Sequence, residues 1–184
     1  MALPERELKK ITADEFFEMF PKESVSERYE LHEGEIVGMS APTIQHQNIV
    51  GGAYSEIRAF IRKKGGKCSV FVSPVDVKLT DTIVVQPDVF VMCDPSKIDE
   101  KRCYGAPDWV IEVTSTNKGD DFGKKFTYYQ ENGVREYWIV VPDEQKTLVY
   151  FFERSHLPNI YTFDTPIPVE IYNRELSIKI SDLL

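Results

Sequence analysis

Two apolar stretches decide the fold of this chain: Ile83-Val84-Val85-Gln86-Pro87-Asp88-Val89-Phe90-Val91 and Trp109-Val110-Ile111-Glu112-Val113. Each has the length and the β-branched content of a buried strand, yet each carries a carboxylate, Asp88 in the first and Glu112 in the second. Because burial of an unpaired carboxylate is costly, two such strands indicate a shared cation. The simplest one is a divalent metal ion with oxygen ligands. The pattern therefore predicts a metal site.

The composition is that of an ordinary globular protein. The 184 residues are 42% hydrophobic and 12% aromatic, so we expect a single domain over residues 1–184 with a full core. The net charge of −8 and the pI near 5.0 give no general attraction to nucleic acid or to anionic membranes. A phosphate-binding surface would therefore have to be local. No stretch reaches the length of a membrane span, so we expect no membrane partner.

The cysteines and the first residues predict a cytoplasmic protein. Cys68, Cys93 and Cys103 are an odd number without metal-type spacing, which favours reduced thiols. The opening stretch Met1–Glu7 is charged and lacks the apolar core of a signal peptide.

The predicted elements run in the order helix, hairpin, helix, three strands, helix, strand and β-rich tail. A capping box at Thr12 starts a helix that ends near Phe20, and Glu33-Gly34 marks the hairpin. The second helix is predicted from Ser40-Ala41-Pro42 to Lys64, and the third from Lys118 to Asn132. The predicted strands after the hairpin are Ser69–Leu79, Ile83–Met92, Asp108–Thr114, Glu136–Val141, Leu148–Phe152, Ile160–Phe163, Val169–Tyr172 and Leu176–Ile180. This order predicts an α/β fold, a mixed β-sheet flanked by helices with a β-rich C-terminal extension.

Strand alternation and helical spacing place further polar groups near the two carboxylates. Alternation puts Glu112 on the face opposite Trp109, Ile111 and Val113, so it can face a cleft that Asp88 shares if the strands are adjacent. Asp121 and Lys125 lie four residues apart on the helix that follows, which can lean over the strand end. Lys125 could then polarise an attacking water or stabilise developing negative charge. The alternative is a solvated surface pair.

Several residues allow two interpretations. Asp88 could merely cap a turn, and Glu112 could pair with a cation; for the two together we favour the metal site. Glu30 alternates with apolar neighbours and faces either the metal or the solvent. His46 lies on the apolar stripe of the second helix, which favours a core residue over a catalyst. Asp76 is predicted to be an exposed strand residue.

Three blocks carry a family resemblance: Val85-Gln86-Pro87-Asp88, Ile111-Glu112-Val113 and Gly133-Val134-Arg135-Glu136-Tyr137-Trp138. With the hairpin and His46, they resemble the Uma2 family of restriction endonucleases, within the PD-(D/E)XK nuclease superfamily. The similarity extends from about Thr12 to Val141.

The resemblance implies a restriction-endonuclease-like α/β fold and Mg²⁺- or Mn²⁺-dependent hydrolysis of DNA phosphodiester bonds. It implies a metal at Asp88 and Glu112, and Glu30 as an accessory acid. In our leading hypothesis the Val113 carbonyl is an extra ligand, and Glu30 binds a second metal or a metal-bound water. The superfamily's lysine two residues after the acid is absent, because Thr114 stands there. We nominate Lys125 as its replacement.

The sequence also allows other functions. The acidic charge and Thr114 favour a catalytically silent nuclease fold that serves as a binding or assembly module. A small-molecule phosphodiesterase would bind metal and ignore DNA. Tyr137-Trp138 and Tyr150-Phe151-Phe152 could form the face of a homodimer, which would suit cleavage of two strands, or they could be core.

Overall fold

The computed structural model describes residues 10–21, 28–114 and 119–184, with the backbone alone for residues 119–122. Three α-helices lie in these ranges: α1 (Ala13–Met19), α2 (Ile44–Lys64) and α3 (Gly119–Asn132). The strands are β1 (Tyr29–His32), β2 (Glu35–Gly38), β3 (Ser69–Val72), β4 (Val77–Lys78), β5 (Val84–Val85), β6 (Val89–Met92), β7 (Cys103–Tyr104), β8 (Trp109–Val113), β9 (Glu136–Val141), β10 (Lys146–Phe151), β11 (Asn159–Thr162), β12 (Ile167–Pro168) and β13 (Ser177–Ile178).

The strands form two main mixed sheets and a small ribbon. The six-stranded sheet has the order β11-β10-β9-β8-β6-β3, in which only β8 and β9 run parallel. The five-stranded sheet has the order β2-β1-β5-β4-β7, with a parallel pair at β4 and β7. Strands β12 and β13 pair with each other. The prediction of a mixed α/β fold is confirmed.

Two predicted long strands are each broken, and their halves belong to different sheets. Within the predicted strand 69–79, β3 joins the six-stranded sheet and β4 the five-stranded one. The same split separates β5 from β6. A proline lies in each break, Pro74 and Pro87, and a residue without an N–H cannot continue a ladder. The chain therefore passes from sheet to sheet at Asp88.

The six-stranded sheet is covered on both faces, which explains its apolar strands. One face packs against α2, with Ile49, Ala53 and Ile57 buried beside Trp109 and Trp138. The other face packs against α3 and the five-stranded sheet, in a cluster of buried residues that includes Val77, Val85, Phe90, Val110, Tyr128, Tyr129 and Tyr137. The predicted alternation along β8 is confirmed, because Trp109, Ile111 and Val113 share the first face and Val110 lies on the second.

Helix α1 agrees with its prediction, whereas α2 begins later than expected. Thr12 caps α1, and its side chain and that of Glu15 form the reciprocal capping box. Helix α2 begins at Ile44 rather than near Ser40, because the Thr43 hydroxyl accepts the His46 N–H and provides the N-cap. In the tail, the predicted strand Val169–Tyr172 is wrong, since Glu170–Tyr172 form a 3₁₀ turn.

Two further side-chain predictions need correction. The expectation of reduced thiols is wrong for Cys68 and Cys93, which form a disulfide; Cys103 is a buried thiol outside this disulfide. Asp76 is buried and accepts a hydrogen bond from the Gln86 side chain, 2.8 Å away. Asp76 was predicted to be exposed, but it follows the strand break and faces the buried Gln86 side chain, which satisfies its carboxylate without solvent.

The aromatic residues proposed for a dimer face belong partly to the core. Tyr137 and Trp138 are fully buried inside the chain, so they cannot line an interface. Tyr150 and Phe152 are half-buried and pack around Phe126. None of the helices in the described ranges combines the length and the apolar character needed to cross a lipid bilayer.

Candidate active site

Asp88 is held in place where the chain leaves one sheet for the other. Its Oδ2 accepts the backbone N–H of Val113 at 2.8 Å, which links it to the end of β8. The same oxygen lies 3.1 Å from His46 Nε2, on the first turn of α2. No residue in the described ranges donates a hydrogen bond to Oδ1. One oxygen of this carboxylate is therefore oriented by the protein and the other remains available.

Glu112 lies within β8, on the sheet face that α3 covers. Its Oε1 accepts the Tyr129 hydroxyl at 2.6 Å and the Lys125 ammonium at 3.3 Å. Burial raises the pKa of Glu112 to about 8; Lys125 opposes that rise, and the charges of Asp88 and Glu30 add to it. Such a carboxylate gains strongly from a further cation, because the cation would stabilise its ionised form.

Lys125 bridges the two sheets. Its Nζ lies 2.9 Å from Oε1 of Glu30, on β1, and 3.3 Å from Oε1 of Glu112, on β8. The side chain is nearly fully buried. It reaches this position because α3 packs its Tyr128 and Tyr129 into the core, and Lys125 lies one turn before Tyr129 on the same helix face.

Glu30 faces inward, which decides between its two interpretations. Its Oε1 accepts the Gln86 N–H at 2.7 Å as well as the Lys125 ammonium, and its Oε2 lies 2.9 Å from His32 Nε2. Burial alone would raise the pKa of Glu30, but Lys125, His32 and the Gln86 N–H outweigh it and lower the pKa to about 2. Glu30 is therefore ionised at neutral pH.

Asp88, Glu112 and Lys125 border one cleft of about 50 Å³, which is room for a few water molecules or a partly hydrated ion. Asp88, Glu112, Val113 and Lys125 line it together with His46. The remaining lining residues are Arg28, Met39, Ser40, Ala41, Pro42, Gln47, Val50 and Ser73.

The donor set at the cleft fits a hard divalent cation. Over the described ranges, no three His, Cys, Asp or Glu side chains are arranged as a complete protein cage for a metal. Mg²⁺ does not require one, because it usually takes one or two carboxylates and keeps several waters. Asp88 and Glu112 each offer an oxygen that accepts no hydrogen bond from the described residues. The two carboxylates therefore suit Mg²⁺ or Mn²⁺.

Family comparison agrees with this geometry. The sequence profile of the Uma2 family, described as "Putative restriction endonuclease", matches residues 13–180. The chain belongs to the Uma2 family. No protein of curated function matches it.

A solved structure supports the same conclusion for this Uma2 chain. This chain is similar to a crystal structure described as "a putative nuclease belonging to DUF820" from Anabaena variabilis. The two share 26% sequence identity with a TM-score of 0.75, over 94% of this chain and 97% of the other. The fold is accordingly restriction-endonuclease-like, and both comparisons indicate a nuclease.

The Uma2 structure brings together all four residues that the sequence singled out, Asp88, Glu112, Lys125 and Glu30. The core prediction for His46 is wrong, since its side chain lies in the cleft against Asp88. No local sequence signal identified this contact, because it depends on how the first turn of α2 lies beside Asp88. The Asp121 side chain lies outside the described residues, so the Asp121–Lys125 pair stays a prediction.

Proposed function

We propose that this Uma2 protein is an endonuclease that hydrolyses DNA phosphodiester bonds with Mg²⁺ or Mn²⁺. One observation carries the proposal. Two carboxylates and an ammonium line a single cleft, and a third carboxylate 95 residues away in the chain holds that ammonium in place. Such a set suits phosphoryl chemistry, in which positioning and charge stabilisation do most of the work.

Asp88 and Glu112 would hold the metal, and the Val113 carbonyl is our candidate for an extra ligand. A divalent ion at this position supplies an activated water and neutralises charge on the phosphoryl group. The Val113 N–H and His46 fix the orientation of Asp88 by occupying Oδ2. Such supporting contacts orient a ligand before the cation arrives.

Lys125 is our candidate for the residue that replaces the missing motif lysine at Thr114. Its ammonium touches Glu112, so it lies beside the proposed ligand and can donate a hydrogen bond to the attacking water or to a developing negative charge. Glu30 holds that ammonium in place. We favour this anchoring role over binding of a second metal, because both Glu30 oxygens already accept or share hydrogen bonds with Gln86, Lys125 and His32.

Plasmid cleavage in Mg²⁺ or Mn²⁺ tests the proposal. Asp88→Asn and Glu112→Gln are expected to abolish cleavage while leaving the melting temperature measurable and the fold intact. Glu136→Gln is the matched control, since Glu136 is another fully buried carboxylate, bonded to Trp138 Nε1 and the Ile171 N–H away from the cleft. Undiminished cleavage by either site variant would refute the assignment.

A silent nuclease fold acting as a binding module is the second candidate. Thr114 at the motif lysine position and the net charge of −8 favour it. Calorimetric titration of the protein with Mn²⁺ distinguishes the silent module from the nuclease, because absence of binding at millimolar metal supports the silent module. Cleavage of a small aryl phosphodiester without cleavage of DNA would instead indicate a small-molecule phosphodiesterase.

A further inference from the structure

Arg28 is the second permanent cation among the residues that line the cleft. Lys125, the first, contacts two carboxylates. Arg28 is half-buried and has a single long hydrogen bond, from its guanidinium to the Ser73 hydroxyl oxygen at 3.4 Å. No acidic side chain in the described ranges pairs with it. Its charge is therefore free to act on something that enters the cleft.

The backbone places this guanidinium on the same wall as Asp88. The Arg28 carbonyl accepts the Met39 N–H at 2.8 Å, which fixes the residue at the start of the β1–β2 hairpin. Ser73, its side-chain partner, donates its own N–H to the Asp88 carbonyl at 3.1 Å. Arg28, Ser73 and Asp88 thus form one connected edge of the cleft.

The chemistry of this edge matches a phosphate. A guanidinium is a planar fork of donors that fits two phosphate oxygens, and it is more weakly hydrated than an ammonium. Because the Ser73 oxygen accepts from Arg28, its own O–H is left to donate. The net charge of −8 repels a polyanion, so binding of one needs an unpaired cation at the site itself.

We propose that Arg28, with the Ser73 hydroxyl beside it, binds a backbone phosphate of the nucleic acid held in the cleft. The inference rests on the proposed function for the kind of substrate. It adds the residue that holds the substrate strand next to the metal-binding carboxylates. Arg28 is a substrate-binding residue in this assignment and takes no part in proton transfer.

Equilibrium binding tests it without cleavage. Fluorescence anisotropy of a labelled DNA oligonucleotide is measured in the Asp88→Asn background at several salt concentrations. Adding Arg28→Gln should weaken binding about tenfold and reduce the slope of log affinity against log salt by about one, as expected for one lost phosphate contact. Arg28→Lys should keep most of the slope, because the charge remains, and lose part of the affinity.

Arg58→Gln is the matched control, since Arg58 is exposed on α2 outside the cleft and its loss changes the net charge equally. Equal affinities and slopes for Arg28→Gln and Arg58→Gln would overturn the inference, as would a parent protein that binds no DNA. Thermal melting of Arg28→Gln and Arg28→Lys confirms that both are folded.

A second readout separates this inference from the proposed function. With the natural Asp88 in place, Arg28→Gln should raise KM for DNA cleavage far more than it lowers kcat, and Mn²⁺ binding by calorimetry should be unchanged. If the natural protein cleaves no DNA but the binding loss and the slope change persist, the nuclease proposal fails and the Arg28 assignment stands. If Arg28→Gln also loses Mn²⁺ binding, Arg28 supports the metal site instead and the assignment fails.

Discussion

Lys125 is the buried cation that joins Glu30 of one sheet to Glu112 of the other. A buried ammonium between two carboxylates is favourable only if both partners are well placed, because desolvation of all three charges is costly. The distances of 2.9 Å and 3.3 Å to Glu30 and Glu112 meet that condition. Glu30 is ionised as a result, whereas burial keeps the pKa of Glu112 high at about 8. The pair thus differ in proton affinity although they share one cation.

Lys125→Met should reduce DNA cleavage by at least about 100-fold, because the charge that stabilises the reaction is lost. It should also lower the free energy of unfolding by about 3 kcal/mol, since two buried carboxylates lose their cation. Cleavage rates and urea unfolding measure the two effects. Lys124→Met is the control, because Lys124 is the exposed neighbour on the same helix. Equal cleavage by the two variants would exclude Lys125 from the mechanism.

Glu136 predicts a pH dependence of stability that does not involve the cleft. Burial raises the pKa of Glu136 from 4.5 to about 7, although hydrogen bonds from Ile171 and Trp138 limit the rise. The folded state therefore holds this proton more tightly than the unfolded state. Its contribution to stability is fully present below pH 4.5 and is lost as the pH rises to about 7 and beyond.

Glu136→Gln removes that titration. Relative to this variant, the natural protein should lose about 3 kcal/mol of unfolding free energy between pH 4.5 and pH 7.5. Urea unfolding at a series of pH values measures the difference. Glu131→Gln, at an exposed position on α3, gives the background for removal of any carboxylate. A constant difference between the natural protein and Glu136→Gln across this range would contradict the prediction.

At the scale of elements, α2 depends on close contact with the C-terminal turn Ile180–Leu183. Gly52 makes that contact possible: a Cβ added there would lie 2.9 Å from the Leu183 Cβ and 3.2 Å from its Cα. Its neighbour Gly51 faces open space: apart from the adjacent residues and backbone of α2 itself, no heavy atom of the described residues lies within 4 Å of an added Cβ. Two adjacent glycines in one helix therefore have opposite structural roles.

Gly51→Ala should stabilise the protein by about 0.5–1 kcal/mol, because alanine restricts the unfolded chain and suits a helix interior. Gly52→Ala should destabilise it by about 1–3 kcal/mol, because the methyl group forces Leu183 away from the helix. Urea unfolding of the two single variants tests both signs. Stabilisation by Gly52→Ala would show that the C-terminal turn moves freely.

Periodicity predicted most elements because local patterns govern them. Apolar runs predicted the strands Trp109–Val113 and Glu136–Val141. The helix between them in the chain, α3, was predicted as well. The sharing of one predicted strand between two sheets was not evident, because sheet membership depends on partners far along the chain. Pro74 and Pro87 marked the bends without showing where the chain went next.

Asp88, Glu112 and Lys125 were predictable as candidate site residues, whereas their contacts, the orientation of Glu30 and the position of His46 were not. Carboxylates inside apolar runs are unusual, so the order of residues alone singles out Asp88 and Glu112 as candidates. The contacts of His46 and Tyr129 depend on how α2 and α3 lie across the sheet, which local spacing leaves open. The Cys68–Cys93 disulfide depends on the pairing of β3 with β6, and this pairing brings Ser69 opposite Met92.

At the scale of the whole molecule, the β3–β6 ribbon connects the disulfide to the site. Cys68 and Cys93 lie at one end of the ribbon, and Ser73 and Asp88 lie at the other. The disulfide closes a loop with a sequence separation of 25 residues that contains Asp88 and both of the sheet crossings. Closing such a loop restricts the unfolded chain, which favours the folded state.

Reduction of the disulfide should lower the free energy of unfolding by about 3 kcal/mol. Urea unfolding with and without dithiothreitol measures this effect. The double variant Cys68→Ser with Cys93→Ser is the control, and its unfolding midpoint should not respond to the reductant. An equal response of the natural protein and the double variant would mean that the disulfide does not contribute to stability.

The backbone amides of Gln86 and Val113 donate to Glu30 and Asp88, and the Lys125 bridge joins the two sheets beside them. Each of these two peptide protons can exchange with deuterium only when its carboxylate acceptor moves away. Their exchange rates therefore report how often the sheets separate at the cleft, position by position and without any added label. A metal ion bound between Asp88 and Glu112 would slow the exchange of both amides together and leave the exchange of remote amides unchanged.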